Sequence, residues 1–485
     1  MLKDSVLYGA AASISKAFAL ITFPLLARHL SVSDYGTLDY LFAMTALIST
    51  VIIFGQDSAV ARYFYEYECE QQRQQLVSQS LLLQFACVLF LLPMLLFASP
   101  WSTPFLIDRN DADTLFRLLL LQTPFLMLIN FSQNLLKWTF SRYKFLAVSL
   151  GYALVQASTL TVLLVAFDVG IREILIASLT TTAFFGILGL FFIRRWLCLP
   201  SGFSFLREML PFAIPFGIIG VMGSFAPTLE RSFTNSILGS ENLGLYAAGT
   251  KIAMLTSLVV SSFQVAWGPF SLSLYREHNA IETFNSVLKV FSFAMCIFVL
   301  LLALIADQVI LTLASSRYAG AVVVVFPLAM GLAIQAVSWI TEIGIGIAKR
   351  SYLNIYSYVI ALLVTLASIL LFAPFLGLVG VSLGVLFGHI SKAVISSWLA
   401  QRAHPLSWQY FKVATLLAVT LAIGLVAIWT DFQFGRIAYR LTLTLDLLFV
   451  LGYGWTSVID KPEQQRFLRY ISKRLFESRV HIEPN

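Results

Sequence analysis

Residues 30–36 read LSVSDYG and residues 238–244 read LGSENLG. At a shift of 208 the leucine and the glycine coincide around a short polar turn, and each turn separates two long apolar runs. A second pair of regions agrees at a shift of 207, where Arg142 falls on Lys349, Phe145 on Tyr352, Leu146 on Leu353 and Gly170 on Gly377. Two distant regions that agree at nearly one offset mark a duplicated unit.

Working outward from those turns gives the fold class. A helix rises 1.5 Å per residue, so about 20 apolar residues cross about 30 Å of hydrocarbon. Fourteen runs of that kind are legible: 5–28, 36–61, 77–97, 114–137, 145–167, 172–193, 211–238, 244–267, 286–310, 321–348, 353–372, 378–399, 411–429 and 437–458. The expectation is an all-α integral membrane protein of about 14 transmembrane helices. Two parallel six-helix repeats would form a V-shaped, two-lobed bundle, followed by two further helices. The divisions fall at 1–200 and 201–405 for the two lobes, 406–460 for the extra pair of spans and 461–485 for a basic amphipathic cytoplasmic tail. Because six spans per unit is even, both copies enter from one side. Parallel repeats of this sort place a substrate between the halves and alternate access by rocking.

Composition agrees and excludes much. Hydrophobic residues make up 59% and charged residues 12%, with a mean hydropathy of +0.83, against roughly 25% charged residues in a soluble domain. No stretch between spans is long enough for a separate soluble domain, so nucleic acid has no evident place to bind. No G-x-x-x-x-G-K-[ST] phosphate loop occurs. The four cysteines, Cys69, Cys87, Cys198 and Cys296, stand singly, which predicts neither a disulfide nor a metal site. The first span lacks a basic leader and carries Lys16 in its middle, so it is expected to be retained and not cleaved as a signal peptide.

Lysine and arginine set the orientation. With the N terminus inside, 21 basic residues lie on the cytoplasmic side and 7 outside; Lys16, Arg231, Lys251 and Lys392 fall within spans, which accounts for all 32. The positive-inside rule then puts both termini in the cytoplasm. The net charge of +7 follows from that topology and from contact with anionic lipid. In the tail, Phe467, Leu468, Ile471, Leu475 and Phe476 alternate with Arg466, Arg469, Lys473, Arg474 and Arg479, a pattern expected to lie on the inner leaflet.

The stretch from Pro211 through Lys251, PFAIPFG followed by PTLERSFTNSILGSENLGLYAAGTKIAML, resembles the polysaccharide-transporter branch, the O-antigen or oligosaccharide flippases of Wzx type, of the multidrug/oligosaccharidyl-lipid/polysaccharide (MOP) superfamily. ARHLSVSDYGTLDYLFA and FGQDSAVARYFYE resemble that family's first outer turn and second-span exit. The resemblance covers the whole chain. It implies a non-enzymatic flippase that moves a polyprenyl-pyrophosphate-linked oligosaccharide from the cytoplasmic to the outer leaflet, without a cofactor but with H⁺ or Na⁺ as a candidate coupling ion, and with a polysaccharide polymerase as a candidate partner. The family's seventh-span acid is often Asp; here it is Glu230, before Arg231. A cation-coupled multidrug antiporter of the same superfamily is the second reading, and a membrane-embedded glycosyltransferase, disfavoured by the short outer loops, is the third.

Charges inside spans are the sharpest pointers, since each is disfavoured by about 2.5 to 3.5 kcal/mol on insertion scales unless paired or hydrated. Arg231 lies seven residues before Leu238 and Lys251 seven after Gly244, so a hairpin sets both about 10 Å below the outer end. Lys16, Arg231, Lys251 and Lys392 are therefore candidate anion-binding groups for pyrophosphate or acidic sugars. A Glu230 to Lys251 bridge that merely locks the hairpin is the structural alternative. Lys16 has Asp57 and Asp39 as candidate partners, and Lys392 shares a helix face with His389. Asp39, Asp57, Glu230 and Glu342 are candidates for ion coupling or charge pairing, with Asp57 to Arg62 and Glu342 to Lys349 expected as inner-end pairs. Asp446 falls outside the repeat. Pro24, Pro215 and Pro227 are hinge candidates, because a proline removes a helical hydrogen bond. Gly380, Gly384 and Gly388 predict close helix packing.

Overall fold

A computed structural model describes residues 21–459 apart from 168 and 278, together with 461 and 464. Lys16 and most of the basic tail lie outside the described residues. Residues 21–29 form the helix α1 and lead into the turn that opens the sequence argument. There Ser31 caps α2 (Val32–Ile53) by accepting from the Asp34 N–H at 3.0 Å. The chain continues as α3 (Gln56–Glu66), α4 (Glu70–Leu106), α5 (Ala112–Trp138), α6 (Arg142–Phe167), α7 (Ile171–Ile193), α8 (Ser204–Leu238), α9 (Ser240–Ala253) and α10 (Leu255–Leu274). It closes with α11 (Ala280–Leu313), α12 (Val322–Thr341), α13 (Ile343–Ile347), α14 (Leu353–Ala403), α15 (Tyr410–Phe434) and α16 (Arg436–Tyr453). Strands are absent among the described residues.

Twelve helical stretches among the described residues are long and apolar enough to cross a membrane. The difference from fourteen has two local causes. The first span falls mostly on residues outside those described. In addition, the 51 residues of α14 are two helices joined at Gly377, whose φ of 57 and ψ of −133 are not helical. The halves of α14 fold back on each other, since a Cβ on Gly380 would overlap the Phe372 carbonyl and one on Gly384 would overlap Ile369. The glycine stripe thus works as the helix-packing device expected of it. Three other breaks interrupt expected spans: at Phe54 and Gly55, both with positive φ, at Met254, and at Glu342 between α12 and α13.

The helices gather into two compact units. One holds the described residues up to Ile252 with Gln308–Val324 and Asn354–Val385; the other holds Ala253–Asp307, Val325–Leu353 and the described residues from Leu386. In the first unit, segments expected outside meet one another. Arg109 pairs with Asp34 and Asp111, Arg317 donates to the Arg28 carbonyl, and Asn235 donates to the Leu106 carbonyl. The hydrogen bond from Arg109 holds the Asp111 carboxyl below its usual range. Segments expected inside also meet: Gln75 bridges to the Leu199 carbonyl and Ser201 N–H, and Tyr67 donates to Glu208. In the second unit, Asn285 joins the Ser407 carbonyl and Gln409 N–H at one end, and Arg440 pairs with Asp307 at the other.

The two repeats share a helix stop. After α5, Phe140 has φ 53, its N–H bonds the Lys137 carbonyl and the Ser141 N–H bonds the Leu136 carbonyl. After α13, Lys349 has φ 56, its N–H bonds the Gly346 carbonyl and the Arg350 N–H bonds the Ile345 carbonyl. Both are the same left-handed cap with a six-to-one hydrogen bond, near the matched Arg142 and Lys349 region of the two copies but two residues off the shift of 207. Large apolar side chains such as Leu89, Phe90, Phe97, Phe184, Leu363 and Phe375 are exposed, as lipid-facing surfaces require.

Candidate functional site

The site is organised along one face of α2. Phe42, Thr45, Ala46, Ser49, Thr50 and Ile53, spaced three or four apart, line a cavity of about 780 Å³ in the first unit. Asp39 continues that row one turn nearer the outer end.

Asp39 is 4% exposed and accepts from Arg231 Nε at 2.7 Å and from Lys251 Nζ at 3.0 Å. It therefore ties α2 to α8 and α9 at once. The hairpin geometry does set Arg231 and Lys251 at one depth, but the carboxylate between them comes from 192 residues upstream of Arg231. The Glu230 to Lys251 bridge is not formed: Glu230 accepts from the Tyr246 hydroxyl at 2.8 Å. Arg231 Nη1 also donates to the Pro227 carbonyl at 3.0 Å. Asp39 and Glu230 balance Arg231 and Lys251 in charge, which a buried cluster needs in a low-dielectric interior.

Amides and hydroxyls share the cavity wall with apolar side chains such as Leu126, Ile129, Phe145 and Leu160. Gln122, Asn130, Gln133 and Lys137 come from α5, Ser149, Tyr152 and Gln156 from α6, and Ser178 from α7, with Thr22 and Leu26 from α1. Gln122 is held by Ser178 at 2.8 Å and Thr182 at 3.0 Å, whereas Ser49 Oγ and Gln156 Oε1 are buried without a partner. Lys137 is the one cation and no carboxylate lines the wall among the described residues. Charge counting missed these residues. The available signal was weaker, a helical spacing of Gln122, Asn130, Gln133 and Lys137 in an otherwise apolar span.

In the second unit Lys392, 3% exposed in its side chain, reaches Glu342 at 3.2 Å, and Ser338 donates to the same carboxylate oxygen at 3.0 Å. Glu342 thus pairs with Lys392 and not with Lys349. Likewise Arg62 pairs with Glu66 at 3.0 Å, one turn along α3, and not with Asp57, which faces a separate small pocket. His389 packs on Gly331 of α12. Pro24 lies in α1, and α8 runs unbroken through Pro215 and Pro227. Arg231, Lys251 and Lys392 do not line the large cavity.

One family model matches more than half of the chain. Residues 1–274 match the family model described as polysaccharide biosynthesis protein. The Lsg locus putative protein 1 of Haemophilus influenzae is 23% identical over 340 residues, 66% of this chain and 78% of its own length. Among solved structures, the lipid II flippase MurJ in an inward closed conformation superposes with a TM-score of 0.67 at 14% identity, covering 94% of this chain and 100% of that one. An inward-facing multidrug resistance transporter of the MATE family, in the MOP superfamily, superposes at 0.62 with 16% identity, covering 82% of this chain and 94% of that one. The chain belongs to the polysaccharide biosynthesis protein family and has the all-helical, multi-pass fold of the MOP-superfamily transporters.

Proposed function

We propose that the protein flips a polyprenyl-pyrophosphate-linked oligosaccharide from the cytoplasmic to the outer leaflet of the bacterial inner membrane, by alternating access and without chemistry on the substrate. The observation that carries this reading is the cavity of about 780 Å³, whose wall sets uncharged amides and hydroxyls among apolar side chains and holds one cation, Lys137. Sugar hydroxyls both donate and accept, and so do Gln, Asn, Ser, Thr and Tyr side chains. A glycan would exchange its water for these groups while the prenyl chain stays in lipid. Family membership and a fold shared with a lipid II flippase support the same reading. A cavity for lipophilic cations calls for carboxylates, and this wall has none among the described residues. Arg231 and Lys251 serve the pyrophosphate only when Asp39 lets them go, so the ion cluster would open as substrate enters. H⁺ or Na⁺ coupling, anionic inner-leaflet lipids and a downstream polymerase complete the proposal.

Deletion of the gene is expected to abolish a surface or secreted polysaccharide and to trap its lipid-linked precursor on the cytoplasmic side, with drug sensitivity little changed. Purified protein in proteoliposomes should move a defined lipid-linked oligosaccharide. A deletion strain with normal surface glycan and marked hypersensitivity to lipophilic cations would replace the flippase with the antiporter.

A further inference from the structure

The second unit carries an apolar groove of about 630 Å³ between α12, α14 and α15. One contact sets its depth. Gly424 of α15 is pressed onto the Phe326 ring of α12, which closes the space at that level. One turn back from that contact, Leu421 begins the groove, and residues 410–421 of α15 line it together with residues 390–401 of α14. At 1.5 Å per residue each stretch is about 16 Å long, about half of a 30 Å hydrocarbon core. The other end lies at the connection between α14 and α15, residues 404–409, which the distribution of basic residues puts on the cytoplasmic side. The groove thus covers the inner leaflet and stops there.

The polar groups of its wall are already engaged. The Thr341 and Ser397 hydroxyls bond each other at 2.6 Å, Ser338 donates to Glu342, and Gln401 bonds both the Leu406 N–H and the Leu406 carbonyl. What faces the space is chiefly Ile334, Val337, Ile390, Val413, Leu417 and Leu421, a surface for a hydrocarbon chain. A chain carried across the membrane needs a path through both leaflets, whereas a resident chain needs one. At the cytoplasmic end stands a cation. Arg402 is exposed, and its guanidinium lies 4.0 Å from the centroid of the Trp398 ring, which lines the groove and is 51% exposed. Stacking on the indole holds the guanidinium at the mouth, where its planar fork suits a phosphate. That is the level of the headgroups, in the leaflet that is rich in anionic lipid.

We propose that this groove holds an acyl chain of an anionic phospholipid of the inner leaflet, with the lipid phosphate on Arg402. The chain fills the wedge that α15 leaves beside α12 and α14, so the lipid seats the extra pair of spans on the helices of the repeat. Its binding does not depend on what the protein transports.

The full-length protein, stripped of lipid in a neutral detergent and titrated with dioleoyl-phosphatidylglycerol or dioleoyl-phosphatidylcholine, tests the site. Expected is a saturable rise in melting temperature at lower concentrations of phosphatidylglycerol than of phosphatidylcholine. Arg402→Gln should weaken the apparent affinity for phosphatidylglycerol about tenfold, the loss of one charge-assisted contact, and should erase the preference. Arg350→Gln, also an exposed cation assigned to the cytoplasmic side, is the matched control and should keep it. Ala414→Phe places a ring in the groove from an exposed position of α15 and should remove the saturable rise for both lipids. Equal responses of the native protein to the two lipids would overturn the proposal. Equal losses in Arg402→Gln and Arg350→Gln would replace the site with diffuse attraction to a basic surface, and a native response in Ala414→Phe would place the chain elsewhere. Displacement of phosphatidylglycerol by a polyprenyl phosphate at lower concentration would assign the groove to the transported lipid instead. Failure of glycan transport in proteoliposomes leaves all of these readings unchanged, so the two proposals fail separately.

Discussion

Asp39 is one carboxylate serving two cations, and its removal has an asymmetric consequence. Asp39→Asn leaves Arg231, 5% exposed in its side chain, beside Lys251 with no counter-ion between them. Breaking a buried pair in this way costs about 3 to 5 kcal/mol. Lys251→Gln leaves Asp39 with Arg231 and should be milder. The expected order of melting temperatures in detergent is native, then Lys251→Gln, then Asp39→Asn, with partial recovery in the double variant. Equal melting of Asp39→Asn and native protein would show that the cluster does not hold the helices together. In the cavity the sign reverses. Ser49 Oγ and Gln156 Oε1 have no partner, and an unsatisfied buried polar group costs about 1 to 3 kcal/mol. Ser49→Ala and Gln156→Leu should therefore be at least as stable as the native protein while glycan export falls. Loss of export only together with loss of protein would make these residues structural.

At the scale of helices, backbone proximity decides more than polar contacts do. The glycines that anchor the repeat, Gly36 and Gly244, lie against each other, and a Cβ on Gly244 would overlap the Val32 carbonyl. Beside them Ser33 donates to Ser240 at 2.8 Å. The repeat is thus joined through its own matched turns, the self-complementary arrangement expected near a twofold axis. Gly244→Ala should force α2 and α9 apart and cost about 1 to 3 kcal/mol, the range for overpacking. Gly452→Ala, with open space around it, is the matched control and should change little. Comparable melting of the two variants would remove the close crossing as a stabilising feature.

For the molecule as a whole the testable quantity is its orientation. Hydrogen bonds and ion pairs group the segments expected outside with one another and those expected inside likewise. The division of basic residues then says which end is which. A reporter fused after Arg194 should read cytoplasmic and one within residues 99–113 should read external. Opposite readings would invert the orientation and with it the proposed direction of transport.

Apolar length determined the helices and their near-coincidence with the described spans, because a bilayer imposes it on each span separately; residue matches at one offset gave the repeat, and the placement of Lys and Arg gave the inside-to-outside charge bias. The depth shared by Arg231 and Lys251 was legible for the same reason: it is a matter of rise per residue along one hairpin. Their counter-ion was not, because nothing local distinguishes Asp39 as the partner of side chains about two hundred residues away. The Lys392 to Glu342 pair likewise displaced Lys349, which sequence distance favoured, whereas the Arg62 to Glu66 pair is the i, i+4 spacing that one helical turn favours. The cavity escaped notice because amides and hydroxyls carry little signal one at a time. They acquire meaning only when α2, α5, α6 and α7 turn them toward one space, and that convergence belongs to the tertiary packing.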